Sequence, residues 1–385
     1  MDIGFSEEQE LLRDTARKFL EAECTTKFVR EMMASDDAVT PAFWRMLAEQ
    51  GWLGISYDEA DGGLGLGLTD LVVLMEEIGR AVMPGPFAAS VLFGGAAIAA
   101  AGSPAQRAEY LPRLAAGELK TTLAVAEASA RWDAAGIALP ARETAGGFVL
   151  NGGKLFVPDA HLADVLVVAA RTRDGSTMAD GVSLFLVVEE TPGVAVERLP
   201  SIDETRKLCA VRFDNVTLPA SCLLGELHQG WPPLARVIDR AAVALSAEIC
   251  GAAQKVLEIT VDYAKMREAF GKPIGSYQGV KHKCADMLVE IENAKSLTYY
   301  AAWAIDENMP DAAQAAAMAK AAASDAGRKV CAAGIQLHGG IGMTWEHDLH
   351  LYLKRTKADE VALGDAAWQR ERIARLMTEM GAVAA

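Results

Sequence analysis

From Ser6 to about residue 118, apolar side chains recur every three or four positions, the spacing that gathers them on one face of a helix. The runs "SEEQELLRDTARKFLEAEC", "TPAFWRMLAEQGW" and "LTDLVVLMEEIGRAVM" all keep this period, and Ser6 stands where an N-cap belongs. Between the second and third lies "ISYDEADGGLGLG", whose glycines and acidic residues predict a turn-rich loop. Near Lys120 the period shortens. Residues 121–221 give brief alternating runs ("TTLAVAE", "GFVLNGGKLFVP", "DVLVVAAR", "VSLFLVV", "CAVRFDNVTLP") punctuated by Gly, Asn, Asp or Pro. Seven or eight strands at that spacing predict a small barrel or sandwich, and "LNGGKLFV" predicts a hairpin turn at its glycines. From about residue 229 the helical period returns. "WPPLARVIDRAAVALSAEICGAAQKVLEITVDYAKMREAF" sustains it for roughly forty residues, or ~55 Å of helix. Three further helices are predicted over 278–308, 310–337 and 347–377.

The expected fold is therefore α+β and mostly α. It comprises an N-terminal helical domain (1–119), a middle β-barrel domain (120–226) and a C-terminal four-helix bundle (227–385). No internal repeat is visible. A chain of 385 residues, 51% hydrophobic and 23% charged, has ample material for a core. Its net charge of −15 argues against nucleic-acid or anionic-membrane surfaces, which require clustered Lys and Arg. The most apolar stretch, "PFAASVLFGGAAIAAAGSP", is interrupted by Gly94 and Gly95 and bounded by prolines, so a buried helix is expected rather than a membrane span. The N-terminus has no basic segment leading into an apolar one, and a cytoplasmic location is expected. Cys24, Cys209, Cys222, Cys250, Cys284 and Cys331 are scattered without metal-ligand spacing.

The usual chemical motifs are missing. "DGGLGLG" does not follow a strand in a βαβ unit, so it is no dinucleotide loop. His347 and His350 in "EHDLH" sit three apart on a predicted helix face and would share a metal only in a minority of such cases. A solvated helix end is the plainer reading, and no metal is expected. Two segments resist a bland account. "REAFGKPIGSYQGVKHKCADM" (267–287) reads as a turn between helices, with Gly271 as stop and Ser276 as cap, but this leaves Arg267, Phe270 and Gln278 unexplained. "GIQLHGGIG" (334–342) places four glycines in nine residues, at a cost of ~1 kcal/mol each inside a helix. A helix break needs one. Gly339 and Gly340 in succession would let a backbone approach a ligand and expose N–H donors.

At these residues the chain resembles the acyl-CoA dehydrogenase family, flavoproteins that oxidise the Cα–Cβ bond of acyl-CoA thioesters. "GWLGISYDEADGGLGLG" resembles the family's N-terminal-domain loop and "LNGGKLFVPDAHLADVLVVAAR" its middle-domain hairpin. "REAFGKPIGSYQ" and "QLHGGIG" match the R-x-x-F-G…Q and Q-x-x-G-G-x-G elements, and "EHDLHLYLKR" resembles the helix that follows. The resemblance implies helices, a β-barrel and a four-helix bundle, usually assembled as a tetramer with FAD lying across a subunit interface. It implies that Arg267 faces the FAD diphosphate, that Phe270 packs near the adenine, and that Gln278 adds a polar contact. Gln336, Gly339 and Gly340 would meet the cofactor with backbone. An acyl-CoA substrate and an electron-transfer flavoprotein as acceptor are implied with it.

The chain also departs from the family. Where a T-E-P…G-S-D run is usual it has "AEASARWD" (126–133), with Ala126 in the threonine place and Arg131-Trp132 for Gly-Ser. In "FVPDA", Phe156 keeps the family's aromatic residue beside the flavin, but Pro158 replaces a threonine. The reaction begins when a carboxylate takes the α-proton as hydride leaves the β-carbon for flavin N5. The two family positions for that base are Ala241 in "VIDRAAVAL" and Leu363 in "EVALGDAAW", both apolar. Asp239, two residues before Ala241, is the candidate replacement; Glu360 and Asp365 are weaker ones. Residues serving a neighbour's FAD are kept, whereas those serving the chain's own flavin and substrate are altered. Three readings stay open: the supporting subunit of an α2β2 assembly with a catalytic paralogue, a self-sufficient homotetramer with a relocated base, or a non-catalytic scaffold. Ala241, Ala242, Ala244 and Ser246 fit either a widened acyl pocket or plain helix packing.

Overall fold

A computed structural model describes residues 4–173, 175 and 178–383. Helices α1 (Glu7–Glu23), α2 (Thr26–Ala34), α3 (Pro41–Glu49), α4 (Leu68–Ala81), α5 (Ala96–Ala101) and α6 (Pro104–Ala115) come first. Eight strands follow: β1 (Thr121–Ala124), β2 (Ala141–Thr144), β3 (Gly147–Pro158), β4 (Val165–Arg171), β5 (Val182–Val188), β6 (Val194–Leu199), β7 (Leu208–Pro219) and β8 (Leu223–Leu224). Then come α7 (Trp231–Met266), the short strands β9 (Glu268–Ala269) and β10 (Lys272–Pro273), α8 (Gln278–Asp306), α9 (Ala312–His338), α10 (Leu349–Val361) and α11 (Ala366–Val383). Ser6 caps α1 in a reciprocal box: Gln9 N–H donates to its hydroxyl at 3.2 Å and Ser6 N–H to Gln9 Oε1 at 3.0 Å. The apolar stretch at 88–101 is a buried π-helical turn running into α5, and among the described residues no helix is long and apolar enough to cross a membrane.

The chain divides into two compact units. One holds residues 31–66 and 84–241, with the strands in two four-stranded sheets, β1-β4-β5-β8 and β2-β3-β7-β6. Both sheets feed one core, in which Phe148 of β3 meets Phe185 of β5 edge-on at 4.8 Å. The expected hairpin at Gly152-Gly153 is not there. β3 runs straight through these glycines, and its turn to β2 lies at Ala145-Gly146. The glycines instead face a bulge in β7, where pairing steps from Leu150–Val216 to Gly152–Phe213 and Asn215 takes φ +50°.

The other unit holds residues 1–30, 67–83 and 242–385. Within it Arg355 of α10 and Glu248 of α7 form a fully buried ion pair at 2.5 Å, and Arg355 also donates to the Met83 carbonyl just beyond α4. The helix predicted over 347–377 is two helices. Leu363 (φ +58°) and Gly364 (φ +93°) turn the chain between α10 and α11. The segment after α7 differs too. Gly271 does not stop a helix: it shares with Phe270 the two-residue turn of the β9–β10 hairpin, at φ +79° and +53°, the signs a type I′ turn requires. Ser276 does not cap α8; Tyr277 stands at that position and no side chain makes the cap bond.

Removing one partner of a buried ion pair strands the other charge. Arg355→Met should therefore cost about 3–5 kcal/mol, read as a lower denaturant midpoint, and Glu248→Leu in the same chain should recover much of that loss.

Candidate functional site

At the end of α7 the chain folds back on itself. Arg267 N–H donates to Tyr263 O at 2.8 Å while Arg267 O accepts from Ile274 N–H at 2.7 Å, so the β9–β10 hairpin is pinned to the last helical turn. Its tip carries Phe270, 97% exposed. Tyr277, just before α8, braces the hairpin by donating to Ala269 O at 2.9 Å, and Gln278 opens α8. The Tyr263 ring also stacks on His338, the last residue of α9, at 4.3 Å. That contact sets the Arg267 hairpin beside the Gln336–Gly340 segment. Arg267, Gln278 and Gln336 are all exposed and have no side-chain partner among the described residues.

Four glycines in one short stretch now separate by cause. A Cβ on Gly334 would lie 2.6 Å from Val256 Cγ1, and one on Gly342 would lie 2.8 Å from Ile335 O, so both are packing glycines. Gly339 takes φ +65° and ψ −139°, a backbone shape closed to other residues. Gly340 has neither reason, because a Cβ there would meet nothing within 4 Å. An exposed guanidinium, two unpaired amides and a bare backbone beside them suit the nucleotide end of FAD: cation and N–H donors for a diphosphate, open space for close approach.

The positions that the resemblance assigns to the chain's own flavin, 126 and 158, carry no side-chain hydroxyl. Ala126 is buried, and its carbonyl accepts from Leu155 N–H at 2.9 Å. Pro158 has no N–H, and its carbonyl takes the Thr122 hydroxyl at 2.6 Å. Phe156, at φ +53°, is 48% exposed. Arg131 is engaged by Asp133 at 3.0 Å. Glu127 holds the same loop, accepting from Ala138 and Leu139 N–H at 3.0 Å each and from Lys154 at 2.6 Å. Burial pushes the Lys154 ammonium down to about 8.

Neither family position for the base carries a proton acceptor. Ala241 is buried on α7. Leu363 is buried at the α10–α11 break, where two side chains hold backbone carbonyls: Lys320 donates to Glu360 O (2.9 Å) and Gly364 O (3.2 Å), and Gln369 donates to Leu363 O (2.8 Å). Burial pushes Lys320 down to about 8 against the pull of Asp359, Glu360 and Asp365. Asp239 is a buried carboxylate on α7. Glu360 is paired with Lys357 at 2.9 Å, and Asp365 accepts from Trp368 N–H at 2.9 Å at the start of α11; both are occupied by structure. Ala242, Ala244 and Ser246 are buried, with the Ser246 hydroxyl turned back to Ala242 O at 2.7 Å. Sequence reasoning missed Lys320, although a lone lysine in the alanine run of α9 is a visible oddity. It also missed Tyr263 and His338. His347 precedes α10 rather than riding on it; its ring meets His338, that of His350 stacks on Trp345, and no metal cluster exists among the described residues.

Comparison with known proteins identifies the family. Family models match along the chain: "Acyl-CoA dehydrogenase, N-terminal domain" over residues 6–118, "middle domain" over 122–216 and "C-terminal domain" over 228–378. The chain belongs to the acyl-CoA dehydrogenase family. Acyl-CoA dehydrogenase IpdE2 of Mycolicibacterium smegmatis is 32% identical over 97% of this chain and 99% of its own length. Among solved structures, the ChsE4-ChsE5 complex from Mycobacterium tuberculosis superposes with a TM-score of 0.89 at 27% identity, covering 98% of this chain and 99% of that one. The FAD complex of PigA gives 0.91 at 27% identity, with the same coverage.

Gly339 and Gly340 should behave oppositely on substitution. Gly340→Ala should leave the melting temperature unchanged, whereas Gly339→Ala should cost about 1–3 kcal/mol for its forbidden backbone, read as a drop in Tm.

Proposed function

We propose that this chain is one subunit of an FAD-dependent acyl-CoA dehydrogenase, shaped to hold the nucleotide end of FAD for a paralogous partner that carries the base. The observation that carries this reading is a contrast. Arg267, Gln278 and Gln336 stand exposed without a side-chain partner among the described residues, and Gly340 has open space around it, while Ala241 and Leu363 offer nothing that takes a proton. FAD, when bound, accepts the hydride in the α,β-desaturation of the acyl-CoA thioester. Arg267 would supply charge to the diphosphate, Gly340 a backbone open to close approach, and Phe270 an apolar cover for the adenine. The ChsE4-ChsE5 complex supports the idea of two chains in one assembly, here of the α2β2 kind, with an electron-transfer flavoprotein as the electron acceptor. Domain boundaries near residues 119 and 226 belong to the same proposal. One observation favours a second reading, a self-sufficient homotetramer: Asp239 is a buried carboxylate two residues before a family base position, although about 200° round the unbroken helix α7 from it.

Flavin content separates the two. The chain purified alone should carry little FAD, and co-expression with a dehydrogenase paralogue should give one FAD per pair of chains. One FAD per chain in the protein alone, bleached by acyl-CoA, would overturn the partner reading and point to Asp239. In the loaded assembly, Arg267→Ala removes a charge-assisted hydrogen bond of about 1.5–3 kcal/mol and should weaken FAD retention roughly tenfold or more.

A further inference from the structure

His338 is the one residue of "QLHGGIG" whose side chain is buried and polar, at 3% exposure. Its Nδ1 lies 2.8 Å from Gly334 O, one helical turn back. A carbonyl can only accept, so Nδ1 carries the proton and Nε2 keeps a lone pair. Nε2 is itself buried without a hydrogen-bond partner. One face of the ring stacks on Tyr263 at 4.3 Å and 22°, and the Tyr263 hydroxyl donates to the His338 carbonyl at 3.4 Å. His347 meets the ring edge-on at 4.7 Å. Three segments thus converge on one imidazole: the last turn of α7 leading into Arg267, the Gly339–Gly340 turn, and the 344–348 loop.

We propose that His338, in its neutral form, is the positioning residue of the nucleotide seat, clamping the end of α9 to the end of α7 so that Arg267 and the Gly339–Gly340 backbone face one ligand, and that protonating it loosens the clamp. The inference rests on the nucleotide-seat reading above. It touches no cofactor atom itself; it acts through the two turns it joins.

The physical case for the proton is a matter of what would receive it. A second proton goes on Nε2, which is buried and has no acceptor. The groups facing the ring are the Tyr263 phenol from α7 and the His347 imidazole from the loop, with Arg30 behind the latter, donating to His347 O at 3.4 Å and to Asp348 at 2.8 Å. Among the described residues, the groups recorded against the ring, Tyr263, His347 and the Gly334 carbonyl, include no anion. Burial is the main influence on His338 and lowers its pKa, the Gly334 carbonyl opposes this, and the charge of a protonated His347 adds to it. A histidine whose folded pKa is lowered favours the closed clamp above the ordinary imidazole pKa and loses that contribution as pH falls through the lowered value. The seat should therefore open on the acid side, not the alkaline.

The test is FAD release from the purified flavin-loaded assembly, full-length chains throughout, followed by the fluorescence of freed flavin as pH is lowered from neutral through the imidazole range. Wild type should release FAD several-fold faster at the acid end. His338→Phe keeps a ring against Tyr263 but cannot take a proton, so its release should stay slow and lose the acid rise. His338→Ala should release FAD several-fold faster at every pH. The proposal is overturned if His338→Phe retains the wild-type acid rise, or if His338→Ala releases no faster than wild type. Arg267→Ala tells the two failures apart. If it speeds release while the His338 variants do nothing, the clamp is wrong and the seat stands; if it also changes nothing, the nucleotide-seat reading itself has failed.

Discussion

In the helical unit everything is hung on one buried charge pair. Glu248 and Arg355 have no exposed surface, and taking two ions out of water costs several kcal/mol apiece before their attraction returns it. Such a pair adds little net stability. What it does is penalise every other register, since a slip of either helix leaves a charge alone in a dry interior. Arg355 extends the constraint to the Met83 carbonyl, and Tyr352 adds a bond to Arg80 O at 3.0 Å, so α10 is keyed to the end of α4 as well as to α7. Gly79 shows how close the fit is, for a Cβ there would lie 2.0 Å from the Glu248 carbonyl. Two segments of the candidate site hang from this frame: the hairpin that continues α7, and the break that follows α10.

These segments use the frame differently. The α10–α11 break is fixed by Lys320 and Gln369 through the carbonyls of residues 360, 363 and 364, which every amino acid supplies. The side chain at 363 takes no part. Leucine can therefore stand there at no cost to the fold beyond its left-handed backbone. Pro158 is a parallel case, since the Thr122 hydroxyl needs only its carbonyl. At both positions the bonds that hold the architecture run through the backbone carbonyl, so they do not depend on which side chain stands there.

Much of this was legible in the sequence, and the failures share a cause. Period and caps are local, and they yielded the helix–strand–helix order, α1 with its Ser6 cap, and the long α7. Three readings of glycine or serine went wrong because their meaning is not local. Gly152-Gly153 looked like a turn, yet they answer to a bulge some sixty residues on, at Asp214-Asn215. Gly271 looked like a helix stop, yet the helix ends earlier and the glycine serves a hairpin. Gly364 lay inside a helical period, and nothing nearby announces that a lysine forty-four residues upstream holds its carbonyl. The residues proposed for the nucleotide side came from the resemblance; their exposure and lack of side-chain partners could be known only from the fold.

That exposure bears on the choice between a scaffold and a cofactor-holding subunit. Phe270 at a left-handed turn position has a backbone cost and no packing return, since its ring touches almost nothing. Met266, Ile341 and Met343, on the same two segments, are also exposed. Stability of the isolated chain explains none of these. Apolar side chains on turn tips, set beside an unpaired guanidinium and a glycine with open space around it, describe a surface finished by something else. The apolar groups alone would suit any protein partner. Under the proposed function, the cation and bare amides on the same segments would meet the negative charge of a dinucleotide held against a second chain.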